Sequence, residues 1–269
     1  MQFFSQLNSE TQIFLVAIFS IIFGSFASLV TCRLASDEPI MLGRSKCPNC
    51  NVNLKIRNLI PLFSWLFQKG KCSNCHTKIS LRYPLIELSF LVSFLIVYFV
   101  LGQEITPKTL LYFAITGTLI VMCITDLEHY FIPNSTQYFL AILATILVIS
   151  EGGTNAALIN IKSAVLYTIF GLALWAFFYL TAKVEAIGVD DIKFFFTAGL
   201  MLGAADFLNF MFLSGFFGMI FGGLWQKFKN EKTFPFAPAI CASTFVCLLF
   251  DKKINPVDLI GSLLFFQTF

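Results

Sequence analysis

Apolar stretches long enough to cross a bilayer recur along nearly the whole chain, at 13–32, 85–101, 109–125, 137–150, 157–180, 193–205, 207–225 and 236–250. About 17–25 predominantly apolar residues span the hydrocarbon core. A segment there must satisfy its own backbone amides, so each stretch is predicted as a helix. The expected fold is therefore all-α: a polytopic membrane helical bundle of about eight transmembrane helices. The stretch at 137–150 and the two around Gly203 are the short or closely spaced ones. Composition agrees, because only 12% of the 269 residues are charged and 57% are hydrophobic. Soluble domains carry roughly a quarter charged residues, so a water-exposed surface cannot be built from this inventory. The 34 phenylalanines are spread through all the spans and read as lipid-facing and packing bulk.

Charge sets the orientation. Met1 to Thr31 contains no Lys or Arg, so the first span lacks the basic n-region of a cleaved secretory signal. Between Arg33 and Arg82 nine Lys or Arg stand against two acids, Asp37 and Glu38. The positive-inside rule makes that segment cytoplasmic and the N-terminus external. Alternation then places 126–136, 181–192 and 226–235 on the cytoplasmic side, with Lys183, Lys227, Lys229 and Lys232. The Lys252–Lys253 pair falls on the other side and fits least well. A net charge of +3 needs no nucleic-acid partner to explain it. The chain thus reads as a first helix (1–32), a polar insert (33–84) and a helical remainder (85–269), with no internal repeat.

Within the insert, Cys47-Pro-Asn-Cys50 and Cys72-Ser-Asn-Cys75 form two C-x-x-C knuckles 21 residues apart. Each can turn two thiolates onto one ion, and two together complete the tetrahedral S4 set of a structural zinc ribbon. A redox or disulfide pair and unrelated cysteines are the competing readings, although a cytoplasmic segment disfavours disulfides. His76 is a less suitable ligand beside the second knuckle. Cys32, Cys123, Cys241 and Cys247 lie in or beside apolar stretches and read as small buried hydrophobes.

Two carboxylates stand at membrane boundaries. Asp126 follows the run 115–125, and Asp191 opens the sixth stretch, both on the cytoplasmic side. Intramembrane carboxylates are costly and therefore functional suspects. Brought together, two would share a proton, one activating water while the other polarises a carbonyl. Alternatively each merely ends a helix, Asp191 favourably near an N-terminus.

Several short segments together resemble the type IV prepilin peptidases, a group of GxGD-type intramembrane aspartyl proteases. They are Gly24-Ser25-Phe26 with Arg33-Leu34, the two knuckles, and Ile60-Pro61-Leu62-Phe63-Ser64-Trp65-Leu66 between them. Ile79-Ser80-Leu81-Arg82-Tyr83-Pro84-Leu85-Ile86-Glu87, Asp126 with Ile132-Pro133-Asn134, and Asp191-Ile192-Lys193 complete the set. Each piece is short, but their order and spacing are specific and cover most of the chain. Two positions depart from the pattern: Asp190 and Ala237 stand where glycine is usual, and Asp190 offers a rival carboxylate. Asp191 keeps the register with Ile192-Lys193.

The resemblance implies that Asp126 and Asp191 are catalytic and that Cys47, Cys50, Cys72 and Cys75 hold zinc. It implies a multi-pass protein of the bacterial inner membrane whose active site faces the cytoplasm. Its substrates would be pilin or pseudopilin precursors of type IV pili or type II secretion, cut after a glycine in a basic leader. Methylation of the new amino terminus with S-adenosylmethionine goes with the insert in this family. Glu87 is expected either at that second site or in helix packing. The non-enzyme reading is a membrane scaffold or proton-coupled transporter with a zinc-ribbon docking module.

Overall fold

The computed structural model describes residues 7–36, 45–183, 187–229 and 233–250. Asp37, Glu38, Lys232 and the Lys252–Lys253 pair of the charge argument lie outside them. Eight helices follow one another among the described residues: α1 (Ser9–Ala35), α2 (Phe63–Phe67), α3 (Arg82–Val100), α4 (Pro107–His129), α5 (Asn134–Ala182), α6 (Val189–Leu202), α7 (Phe207–Lys229) and α8 (Ala237–Phe250). A 3-10 turn at Ile56–Asn58 precedes α2, and among the described residues β pairing is confined to two isolated bridges, Lys46 with Asn53 and Lys71 with Lys78. The chain is an all-α, multi-pass membrane protein.

Helices α1, α3, α4, α5 and α7 are each long and apolar enough to cross a bilayer. The apolar part of α5 covers 48 residues, about 72 Å at 1.5 Å per residue and more than twice a hydrocarbon core. Gly153 resolves this excess: its φ of 72° and ψ of −173° break the helix between the stretches at 137–150 and 157–180. A residue with a side chain rarely adopts that φ, which is why glycine stands there. The 14-residue helices α6 and α8 behave differently. Eight residues of α6 and nine of α8 are buried, whereas α7 buries only Phe210, Ser214, Gly218 and Gly222. These two short helices are shielded from lipid by protein.

The chain divides into two compact units, 1–121 and 122–269, with the boundary inside α4. In the first, α1 packs on α3 so closely that a Cβ on Gly24 would lie 2.8 Å from the Glu87 Cα. Small residues at such crossings let membrane helices approach. The Phe94 and Phe113 rings stack with centroids 4.5 Å apart. Near the end of α1, Arg82 donates to the Thr31 hydroxyl at 2.6 Å and the Ser28 carbonyl at 3.4 Å. In the second unit, the later part of α5 lies against α6. Tyr167 donates to the Gly203 carbonyl at 3.1 Å and Asn160 to that of Leu200 at 3.0 Å. Both bonds satisfy carbonyls left open where α6 ends.

Candidate functional site

The two knuckles of the insert are built alike. Cys47 N–H donates to the Val52 carbonyl and Cys72 N–H to that of Thr77. The residues after the second cysteines, Asn51 and His76, carry φ of 54° and 57°, and their N–H groups return to the Cys47 and Cys72 carbonyls. The sequence reading found no repeat, yet the two knuckles are a local repetition of one turn. Asn49 ties them together by donating to the Thr77 hydroxyl at 2.8 Å.

This folding gathers Cys47, Cys50, Cys72 and Cys75, whose sulfurs all lie within 4.8 Å of one another. Sulfurs bound tetrahedrally to zinc at about 2.3 Å stand about 3.8 Å apart. The Cys47–Cys75 sulfur separation is 3.8 Å. All four are free thiols. The Thr77 hydroxyl and amide and the Asn49 amide group stabilise a Cys75 thiolate, lowering its pKa to about 5. The donor set therefore fits a structural zinc ion, and His76 is not part of it.

Glu87 joins the insert to the membrane helices. It is buried on α3 and accepts from Leu62 N–H at 2.7 Å. Leu62 itself has φ 61° and ψ −54°, and Phe63 N–H reaches the Pro61 carbonyl at 2.6 Å. That is a γ-turn in its strained form. Of the two expectations for Glu87, this contact belongs with packing of the insert.

In the second unit, the last turn of α4 and the first turn of α6 bring Asp126 and Asp191 together. Asp126 is buried and its Oδ2 accepts from Ala237 N–H at 2.8 Å. Asp191, half-buried, accepts from Gly188 N–H at 3.1 Å and so also caps α6. The two carboxyl groups lie within electrostatic range of each other, and that of Asp190 lies within range of both. Cys241 of α8 is within range of both and of Cys123. Asp190 is turned differently: its carboxylate pairs with Lys193 Nζ at 2.9 Å, and Lys193 also donates to Asn134 Oδ1 at 2.9 Å. Gln137 holds the Asp190 carbonyl at 3.1 Å.

The departures from the family pattern have local explanations. Position 190 falls in the first turn of α6, where ordinary helical dihedrals need no glycine. Gly188 has φ −72°, so its lack of a side chain serves space: a Cβ would stand 3.2 Å from Asp191 Oδ2. Ala237 contributes through its backbone N–H, which alanine supplies as well as glycine does. That donor, with Cys241 and Gln137, was not foreseen from residue types. Only Ala237 itself, standing where glycine is usual in the family pattern, pointed to the region.

An open apolar groove of about 400 Å³ is lined by Thr168, Leu172 and Trp175 of α5 and by Val189, Ile192, Lys193 and Phe196 of α6, and Asp191 is not among its lining residues.

Residues 18–101 match the family model of the bacterial peptidase A24 N-terminal domain, and residues 113–223 that of the type IV leader peptidase family. The chain is 31% identical over 244 residues to a prepilin leader peptidase/N-methyltransferase of Bacillus subtilis (strain 168), covering 88% of this chain and 94% of the relative. It is 32% identical over 273 residues to the like-named protein of Aeromonas salmonicida (strain A449), covering 90% and 91%. With the type 4 prepilin-like proteins leader peptide-processing enzyme of Escherichia coli O78:H11 it shares 28% identity over 212 residues, covering 76% and 75%. No solved structure matches the chain.

Proposed function

The chain belongs to the type IV leader peptidase family, and from that premise we propose that it removes the leader from pilin or pseudopilin precursors with Asp126 and Asp191 as its catalytic pair. One observation supports the choice of Asp191: Asp126 and Asp191, 65 residues apart in sequence, interact electrostatically at helix ends, while the Asp190 carboxylate, also within range, is paired with Lys193. One shared proton serves the pair. The ionised carboxylate takes a proton from water as the water oxygen bonds to the peptide carbonyl carbon. The protonated one gives its proton to the carbonyl oxygen, leaving a tetrahedral diol. On collapse the C–N bond breaks, one carboxyl protonates the departing nitrogen and the other takes a diol proton. The pair ends with one proton, as it began.

Asp190, engaged by Lys193, is the less suitable partner for Asp126. The four thiolates of the insert would hold a zinc ion, which would serve as a structural cross-link between the two knuckles. Methylation of the new amino terminus by S-adenosylmethionine follows from the names of the relatives, and no residue here is assigned to the donor. In this reading 1–32 is the first membrane helix, 33–84 the zinc insert and 85–269 the peptidase core. Under the positive-inside rule the basic insert and the cation-bearing loops support a site at the cytoplasmic face of the bacterial inner membrane. Family membership disfavours the scaffold or transporter.

The test is cleavage of a prepilin by the purified protein. Asp126→Asn and Asp191→Asn should each abolish cleavage while the protein still accumulates in the membrane. Asp190→Asn should keep substantial activity. An inactive Asp190→Asn beside an active Asp191→Asn would show that the register is wrong.

A further inference from the structure

We propose that the middle of the insert, Ile56–Phe67, is an interfacial anchor seated in the leaflet where α3 begins, with apolar side chains among lipid acyl chains and flanking cations among anionic headgroups. Apolar exposure in a membrane helix is ordinary, but this segment belongs to the polar insert. There Ile56 is 84% exposed, Leu66 65% and Phe67 81%, with Ile60 and Phe63 about half exposed beside them. These side chains have no protein core to enter. Between residues 45 and 81 only Cys47, Gly70 and Cys72 are buried.

The segment is also held in place. The γ-turn at Leu62 is pinned to Glu87, and Trp65 Nε1–H donates to the Ile79 carbonyl at 3.3 Å. Strain of this kind persists only where surrounding contacts fix it. The pin also sets a depth. Arg82, which grips the end of α1 at Thr31, is five residues before Glu87. Five helical residues rise about 7.5 Å, within the ~5–10 Å by which amphipathic interfacial segments sink below the headgroups. Glu87 thus holds the turn at the level where acyl chains begin.

Charge selects the occupant. Residues 45–81 contain no Asp or Glu. Exposed Lys55 and Arg57 stand at one end of the apolar run, and exposed Lys69 and Lys71 at the other. Cations bracketing an apolar face are the pattern that anionic leaflets attract. The proposal rests on the spans crossing a membrane and is independent of the cleavage reaction.

To test it, p-benzoylphenylalanine is placed singly at Ile56, Phe67 and, as a control on an exposed knuckle, Ser73. Each full-length variant is reconstituted in vesicles of phosphatidylglycerol and phosphatidylcholine, irradiated and analysed by mass spectrometry. Zinc content and prepilin cleavage report that the fold is kept. Positions 56 and 67 should yield lipid adducts about tenfold more often than 73, as insertion requires. Lys69→Glu with Lys71→Glu should reduce the phosphatidylglycerol share of those adducts. Lipid adducts no more frequent at 56 and 67 than at 73 would overturn the proposal. So would cross-links there to a second copy, or to added prepilin, in place of lipid. Unaltered phosphatidylglycerol capture in the double variant would overturn its headgroup component. Retained cleavage with no lipid adducts would sink the anchor and leave the peptidase reading standing.

Discussion

Replacing Ala237 with proline removes the N–H that donates to Asp126 Oδ2 at 2.8 Å and sets a ring Cδ in its place at a fully buried position, so the Asp126 carboxyl loses its donor and is pushed aside. The backbone itself suits the change. Ala237 is the first residue of α8, where proline's fixed φ is suited and its missing N–H is not needed within the helix. Phe236 before it lies outside the helix, as a residue preceding proline prefers. A hydrogen bond to a charged group contributes about 1.5–3 kcal/mol. If that bond orients and stabilises the working carboxylate, its loss slows cleavage by roughly ten- to a hundredfold. The assay is kcat/KM for a purified prepilin, with thermal melting as the check on folding. Ala237→Gly retains the N–H and should stay within a few-fold of the parent. A folded Ala237→Pro protein that cleaves at the parent rate would refute the argument. A glycine variant as slow as the proline one would assign the effect to the start of α8 instead.

Gly24→Ala places a Cβ 2.8 Å from the Glu87 backbone and 3.2 Å from the Phe90 Cβ; separation of α1 from α3 should cost about 1–3 kcal/mol, visible as a lower Tm. Purified protein should contain about one zinc per chain by the four-ligand rule, and replacing any two of Cys47, Cys50, Cys72 and Cys75 with serine should lower that content sharply. All four thiols alkylating fully in the native protein would sink the metal assignment. Cys72→Ser with Cys75→Ser should impair N-terminal methylation more than leader cleavage, both read by mass spectrometry on one substrate, because the aspartates lie outside the insert. Equal loss of both activities would make the insert a support for the whole enzyme.

The helices were legible because lipid forces a simple rule on sequence, and each predicted stretch falls within or largely along an observed helix. The rule works least well at α6 and α8, whose 14 residues are short for a span. Their apolar residues face protein, and hydropathy does not distinguish burial in protein from burial in lipid. The four-cysteine cluster was legible for another reason: each C-x-x-C fixes its own local turn, and two such turns 21 residues apart read as one set of sulfurs. Asp126 and Asp191 could be suspected from charge in an apolar setting, but their electrostatic proximity depends on how helices far apart in sequence are arranged. Backbone contributions were out of reach. Neither the Ala237 N–H nor the γ-turn at Leu62 has a residue-type signature. The motif glycine at position 24 is recognisable as a letter, yet its purpose emerges only from the proximity of Glu87.

If the proposed pair does the hydrolysis, the placement of the aspartates reconciles two opposing demands. A carboxylate facing hydrocarbon is expensive, which argues for helices shielded by others; α6 and α8 are the most enclosed ones, and α7, with few buried residues, turns its other faces outward. Hydrolysis, however, consumes water, and a peptide bond inside a membrane helix is protected by its own hydrogen bonds. A pair at midspan would be enclosed but dry, facing a substrate still wound in its helix. Asp126 lies three residues before the end of α4 and Asp191 is the third residue of α6. There the neighbouring helices still enclose the carboxylates, while the aqueous boundary is within about a turn. A leader that ends where a hydrophobic helix begins presents its scissile bond at that same level. Helix ends are thus where both demands can be met.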